Sequence, residues 1–270
     1  MSSDYYVPTQ SKLPLITALG LGLMAFGGAT LANAAKQGEA GLSSSIILLL
    51  GALVLAGVMY AWFNLIIEEN HQGLANAQLN QSYVLGMSWF IFSEIMFFAA
   101  FFGSLFYVRY YVGPWIDGDG AKGVTEILAP NFEFTWPSTQ NPSTEFIASP
   151  RTVDPFSIPL INTILLFASS LSLTGAHDAL RKKNQSQFNA LLIVTLLLGF
   201  AFIAMQVVEY VEAYTHLGLT LQTGIYGSTF FILTGFHGAH VTIGSLMLLI
   251  MLIRSFKGDF FSKPNETDHG

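Results

Sequence analysis

Apolar residues fall into six long blocks separated by polar breaks, approximately Leu13–Ala35, Ser45–Ile67, Tyr83–Arg109, Phe156–Ala179, Phe188–Tyr210 and Ile225–Ile253. At about 1.5 Å of rise per residue, each block is long enough to cross the roughly 30 Å hydrocarbon core of a bilayer as a helix. The pattern predicts six transmembrane helices. The first two blocks are rich in Leu, Ala and Gly. The other four also carry Ser, Thr, Glu and His, which predicts faces turned toward protein rather than lipid. No block repeats another, so the inverted-repeat pattern of many transporters is missing.

The breaks are short except for residues 110–155, which hold Pro114, Pro130, Pro137, Pro142, Pro150 and Pro155 and most of the loose acids. This stretch reads as an ordered extramembrane loop or short hairpin on the outer side, too proline-rich for a helix. With six spans, one side of the membrane receives Lys12, Arg181, Lys182, Lys183, Arg254, Lys257 and Lys263. The other receives Lys36, Arg109, Lys122 and Arg151. The excess on the first side places both chain ends in the cytoplasm. Residues 1–82 form an N-terminal two-helix group and residues 83–270 the main helical group.

Composition narrows the function. Apolar residues make up 52% of the chain and charged residues 10%, against roughly a quarter charged in a soluble domain. The net charge of −6 and the lack of a basic stripe leave no nucleic-acid surface. The absence of cysteine excludes disulfides, iron–sulfur clusters and thiolate-ligated copper or zinc. The N-terminus lacks the basic region of a cleaved signal peptide, so the first helix is expected to be retained.

Glu94 is the residue that most needs explaining. It lies eleven residues into the third block, roughly 16 Å deep and near the bilayer centre. A carboxyl there must be protonated, paired or turned toward protein.

Four further groups carry chemistry. Gly235-Phe-His-Gly-Ala-His240 places His237 and His240 at i and i+3 on one helix face. They either hydrogen-bond across helices and to headgroups, or begin a metal site that needs Glu94, Glu209 or Glu212 from elsewhere. Glu209 and Glu212 come at the outer end of the fifth block, where a carboxylate can stay solvated. Trp62, Glu68, Glu69 and His71 gather at the cytoplasmic end of the second block, and Arg254 leaves the sixth on the same side. An arginine beside a tryptophan at headgroup depth suits a lipid phosphate.

Several stretches together resemble one family: Ser93-Glu-Ile-Met-Phe-Phe98, Ile158-Pro-Leu-Ile-Asn-Thr163 with Gly175-Ala-His177, Glu209-Tyr-Val-Glu-Ala213, and Tyr226-Gly-Ser-Thr-Phe-Phe231 running into Gly235-Phe-His-Gly-Ala-His-Val241. The chain looks like subunit III of the cytochrome c oxidases. That resemblance implies an all-α membrane fold of seven helices, two in one group and five in another, with phospholipids bound in a V-shaped cleft between them. It implies a core, non-catalytic subunit of a complex that reduces oxygen to water with electrons from cytochrome c and pumps protons. Subunit I would be the main contact, with subunit II in the same complex. Haem and copper would belong to those partners, and this chain would carry bound phospholipid but no metal. Its expected roles are holding lipid, supporting proton uptake and protecting the subunit I active site. Lipid contacts are expected at Trp62, Glu68, Glu69, His71, His240 and Arg254. Glu94 would be the buried carboxylate, with His177, Glu209, Glu212 and His237 as structural polar residues of the family motifs.

Two departures stand out. The chain ends at Gly270, where the family's seventh helix would begin. Asn64 stands where the family often has a basic residue near Trp62. The absence of cysteine and the acidic outer loop point to a bacterial inner membrane rather than a mitochondrial one. Two other readings stay open: an accessory subunit III of a quinol oxidase or nitric oxide reductase, and a proton-coupled transporter using Glu94 and the histidine pair. The first two helices favour the cytochrome c oxidase branch over the quinol-oxidase one.

Overall fold

The computed structural model describes residues 10–38, 41–74, 77–143, 147–148 and 151–260. The chain end at residues 261–270, after which the resemblance implies a seventh helix, lies outside the described residues. Among the described residues all regular structure is helical. The long helices are α1 (Leu13–Lys36), α2 (Leu42–His71), α3 (Ala77–Tyr107), α5 (Ile158–Arg181), α6 (Gln185–Thr215) and α7 (Gly224–Phe256), with a short α4 (Gly113–Ile116) between α3 and α5. Six helices are long and apolar enough to cross a membrane, as the apolar blocks predict. Their surfaces are apolar: Trp89 is 70% exposed, and Phe102, Phe167, Leu197 and Leu246 are more than half exposed. An exposed apolar surface of this extent has lipid as its natural solvent.

The helices outrun the apolar blocks that predict them. α2 continues four residues past Ile67 through Glu68, Glu69, Asn70 and His71, because a helix leaving hydrocarbon satisfies its own backbone and needs no further apolar residue. α3 corrects the reading of residues 110–155 more sharply. It passes without a break into a π turn at Val108–Val112 and then into α4, so the first part of that stretch is helical despite its prolines. Pro114 sits in the opening turn of α4, where a missing N–H costs little, and the preceding π turn takes up the change of register. A 3₁₀ turn at Gly123–Leu128 follows. Beyond it the loop packs on itself: the Thr125 hydroxyl donates to the Trp115 carbonyl (2.7 Å), and Arg109 stacks over Trp136 (5.2 Å).

The chain divides into two compact units, Met1–Glu94 and Ile95–Gly270; the boundary lies inside α3 rather than in the loop before it. In the first unit α1 and α2 pack backbone to backbone. Gly20 and Gly27 on α1 are buried, as are Ser44, Gly51 and Val58 on α2. Each set repeats every seven residues, which keeps one small-residue seam facing the partner helix. A Cβ added to Gly27 would lie 2.5 Å from the Leu48 nitrogen, and one on Gly51 2.7 Å from the Met24 nitrogen.

In the second unit α5 packs along α6, and α6 against α7. The α5–α6 turn passes through Lys183 at φ +56°, and the Asn184 side chain caps α6 by accepting from the Gln187 N–H (3.1 Å). Ala176 and Ala179 on α5, Phe188, Leu192 and Leu196 on α6 and Leu252 on α7 form one core. Polar clasps join α5 to α6: the Ser169 hydroxyl donates to the Thr195 carbonyl (3.2 Å), and Ser172 and Thr195 share a hydrogen bond (2.7 Å).

Candidate functional site

The buried stripe of α6 runs through Phe188, Leu192, Thr195, Leu196, Gly199, Phe202, Gln206, Glu209 and Ala213. Steps of three and four keep these residues on one face, so Gln206 and Glu209 continue inward the line that the leucines begin. Glu209 is only 6% exposed and Gln206 9%. On α5, Asn162 is 4% exposed. It lies against the Glu209 side chain, but the two do not close a hydrogen bond of normal length, and both polar atoms of the Asn162 amide remain without one. Beside Glu209 a cavity of about 210 Å³ is lined by Thr152, Asp154, Ser157 and Glu212 among others.

This geometry separates two residues that the sequence reading took together. Glu212, three residues on from Glu209, is exposed, whereas Glu209 is closed off. Asn162 and Gln206 carry no assigned role in the sequence, although Gln206 falls on the α6 stripe and Asn162 lies in the Ile-Asn-Thr segment. The residue after Glu209 also reaches a neighbour: the Tyr210 hydroxyl shares a hydrogen bond with Thr234 of α7 (2.8 Å).

Of the histidine pair on α7, His237 stands edge-on to Phe202 (5.6 Å between ring centres), and His240 lies 5.9 Å from the Phe98 ring. Among the described residues no three His, Asp or Glu side chains group closely enough to hold a metal ion. Phe97, next to Phe98 on α3, meets Phe236 of α7 edge to face (4.9 Å). Aromatic contacts thus tie the second half of α3 to α7, within a turn of Glu94 along the chain. Glu94 is itself half-buried. His177 is exposed near the end of α5.

The expected lipid contacts divide between the two units. At the end of α2, Trp62 and Glu69 are seven residues apart and share a face, while Glu68 points about 100° away and accepts a hydrogen bond from Gln72 (3.1 Å). Trp62 and Glu69 are half-buried; Glu68 and His71 are exposed. On α7, Arg254 already has a partner: its Nε donates to Asp259 Oδ2 at 2.9 Å. Asp259 is a member of this site that the sequence reading missed.

The family model for cytochrome c oxidase subunit III matches residues 3–114 and 128–266. The chain is a member of the cytochrome c oxidase subunit III family. A "Cytochrome c oxidase subunit 3" from Petromyzon marinus is 37% identical over 225 residues, covering 82% of this chain and 74% of its own length. A "Probable cytochrome c oxidase subunit 3" from Rickettsia felis is 33% identical over 264 residues, covering 97% and 84%. One from Pan troglodytes is 34% identical over 263 residues, covering 97% and 87%. The subunit III match spans both units, so the α1–α2 hairpin and the α5–α6–α7 bundle belong to one family unit. The all-helical fold and the six membrane-length helices agree with the resemblance read from the motifs.

Proposed function

We propose that the chain is the non-catalytic subunit III of a proton-pumping cytochrome c oxidase. It packs mainly against the oxidase's subunit I, shares the complex with subunit II, and leaves haem and copper to those partners. Cytochrome c supplies the electrons, and oxygen is reduced to water in subunit I. The single observation that carries this reading is the subunit III family match over nearly the whole chain. The membrane is a bacterial inner membrane, with the N-terminus on the cytoplasmic side.

Within that complex the chain holds phospholipid. Trp62, Glu69 and His71 supply aromatic, carboxylate and imidazole groups toward the end of α2; on α7, Arg254 supplies a guanidinium in the last turn and His240 an imidazole nearer mid-span. The shared face of Trp62 and Glu69 favours Glu69 over Glu68. Glu94 is the half-buried carboxyl of the third span and supports proton uptake, while Glu209, Glu212, His177 and His237 are structural. Ordered lipid around the chain keeps the subunit I metal site from inactivating during turnover.

The test is purification of the complex through an affinity tag on this chain in mild detergent. The expected product contains the oxidase's large subunit, shows haem bands in its optical spectrum and oxidises reduced cytochrome c. A complex that oxidises quinol but not cytochrome c assigns the chain to the quinol-oxidase branch. A chain that purifies without a haem-bearing partner overturns the proposal.

A further inference from the structure

The turn after α7 closes back on the helix's own last arginine. Gly258, at φ +88°, reverses the chain with its N–H on the Ser255 carbonyl (3.0 Å), and the Asp259 N–H reaches the Arg254 carbonyl (3.2 Å). A left-handed residue of this kind is natural for glycine after a helix. The reversal sets Asp259 Oδ2 against Arg254 Nε and lays the Phe260 ring 4.9 Å from the guanidinium carbon. Phe260 in turn rests on Phe188 of α6 (6.4 Å between ring centres).

The base beneath is fixed. Ser255 is fully buried; its carbonyl accepts from Gln185 (2.7 Å) and its hydroxyl donates to Asn189 (2.5 Å). The Arg254 and Asp259 side chains are 19% and 16% exposed, although Asp259 as a whole residue stands on the exposed side of the turn. One face of the guanidinium is covered and its Nε edge is taken. The Nη edge has no hydrogen-bond partner among the described residues. It lies in the last turn of a membrane-length helix, at the depth where lipid phosphates are the anions at hand.

We propose that Asp259 sets the class of phospholipid that Arg254 holds, favouring a zwitterionic headgroup over a net-anionic one. The proposal rests on Arg254 being a phosphate contact, as read above. An unpaired arginine attracts any phosphate, and most strongly a lipid carrying a net negative charge. A carboxylate 2.9 Å from Nε cancels most of that charge at a distance while leaving the Nη donors for a phosphate at contact. Short-range hydrogen bonding survives, and the long-range preference for a net anion does not. The ammonium of an ethanolamine headgroup gains from the same carboxylate, whereas a glycerol headgroup has no charge to offer it.

The experiment uses the whole complex, exchanged into vesicles of phosphatidylethanolamine and phosphatidylglycerol in equal parts and then repurified in detergent. The lipids retained per complex are counted by mass spectrometry for the unaltered chain, Asp259→Asn, Asp259→Glu and Arg254→Ala. Asp259→Asn is expected to shift retention toward phosphatidylglycerol by about two- to fivefold, the range of a partly exposed ion pair. Asp259→Glu restores the original ratio, and Arg254→Ala lowers total retained lipid. An unchanged ratio in Asp259→Asn, with lipid still lost in Arg254→Ala, overturns the role of Asp259 and leaves the phosphate contact standing. Equal loss of both lipids in Asp259→Asn also overturns it, making Asp259 a residue that only positions the arginine. Full retention in Arg254→Ala overturns both readings.

Discussion

Asn162 on α5 lies against Glu209 on α6, and both side chains are closed off from the surface. Burying a carboxyl or an amide is costly, and these two neighbours interact through their charge and dipole even though neither Asn162 polar atom closes a normal hydrogen bond. Replacing either by leucine is expected to destabilise the chain, since the remaining partner is left among apolar groups. Replacing both is expected to cost less than the sum. A coupling of roughly 0.5–3 kcal/mol is the range for groups in contact, read from thermal unfolding of the detergent-solubilised protein through the cycle Asn162→Leu, Glu209→Leu and the double variant. Strict additivity means that the two side chains act independently.

The six spans were legible because an apolar block of membrane length has few other uses. Their ends were not: once α2 leaves hydrocarbon, Glu68 to His71 extend it at no cost in patterning, and the π turn at Val108–Val112 carries α3 into the segment where Pro114 reads as a stop. The site was legible where polar residues broke an apolar run conspicuously, as Glu94 and His237 do. Asn162 was hidden because its burial depends on α6, which no local pattern reveals. Asp259 was hidden for another reason: five residues from Arg254, it reaches the guanidinium only because Gly258 turns left-handed.

Glu94 gives a second prediction. A hydrophobic carbodiimide reaches carboxyl groups from the lipid phase. At mid-span depth, Glu94 is expected to be the main labelled residue, found by mass spectrometry of the digested chain. Labelling confined to acids such as Glu126, Glu133 or Asp154 refutes its membrane placement. In the assembled oxidase, Glu94→Gln is expected to lower turnover by about twofold or less, since uptake support is worth far less than a catalytic proton transfer, typically about 10²–10⁴-fold.

His237 and His240 yield a third. Both rings pack against aromatic neighbours. The isolated chain is therefore expected to bind neither copper nor haem in stoichiometric amount after metal loading and gel filtration. Stoichiometric copper that disappears in His237→Ala or His240→Ala shows instead that the pair is a ligand set, and that the reading of this subunit as metal-free is wrong.

The seam between α1 and α2 separates tolerant glycines from intolerant ones on the same helices. A side chain at Gly27 would meet the Leu48 backbone at 2.5 Å and one at Gly51 the Met24 backbone at 2.7 Å, whereas Gly22 and Gly57 have nothing within 4 Å. A backbone clash cannot be relieved by a rotamer change, so Gly27→Leu and Gly51→Leu must push the helices apart. Without its close contacts the hairpin loses the packing that replaces a hydrophobic driving force inside lipid. Gly22→Leu and Gly57→Leu only add apolar surface that lipid accepts. Cysteine pairs make the separation measurable in a chain that has no cysteine of its own. A Cβ on Gly20 would lie 3.3 Å from Val54 Cγ1, so the two positions face each other across the seam. The pair Gly20→Cys with Val54→Cys is expected to cross-link in the unaltered background and with Gly22→Leu or Gly57→Leu. Cross-linking is expected to fall several-fold with Gly27→Leu or Gly51→Leu. Equal cross-linking in all four glycine variants means that the seam is not held by these glycines.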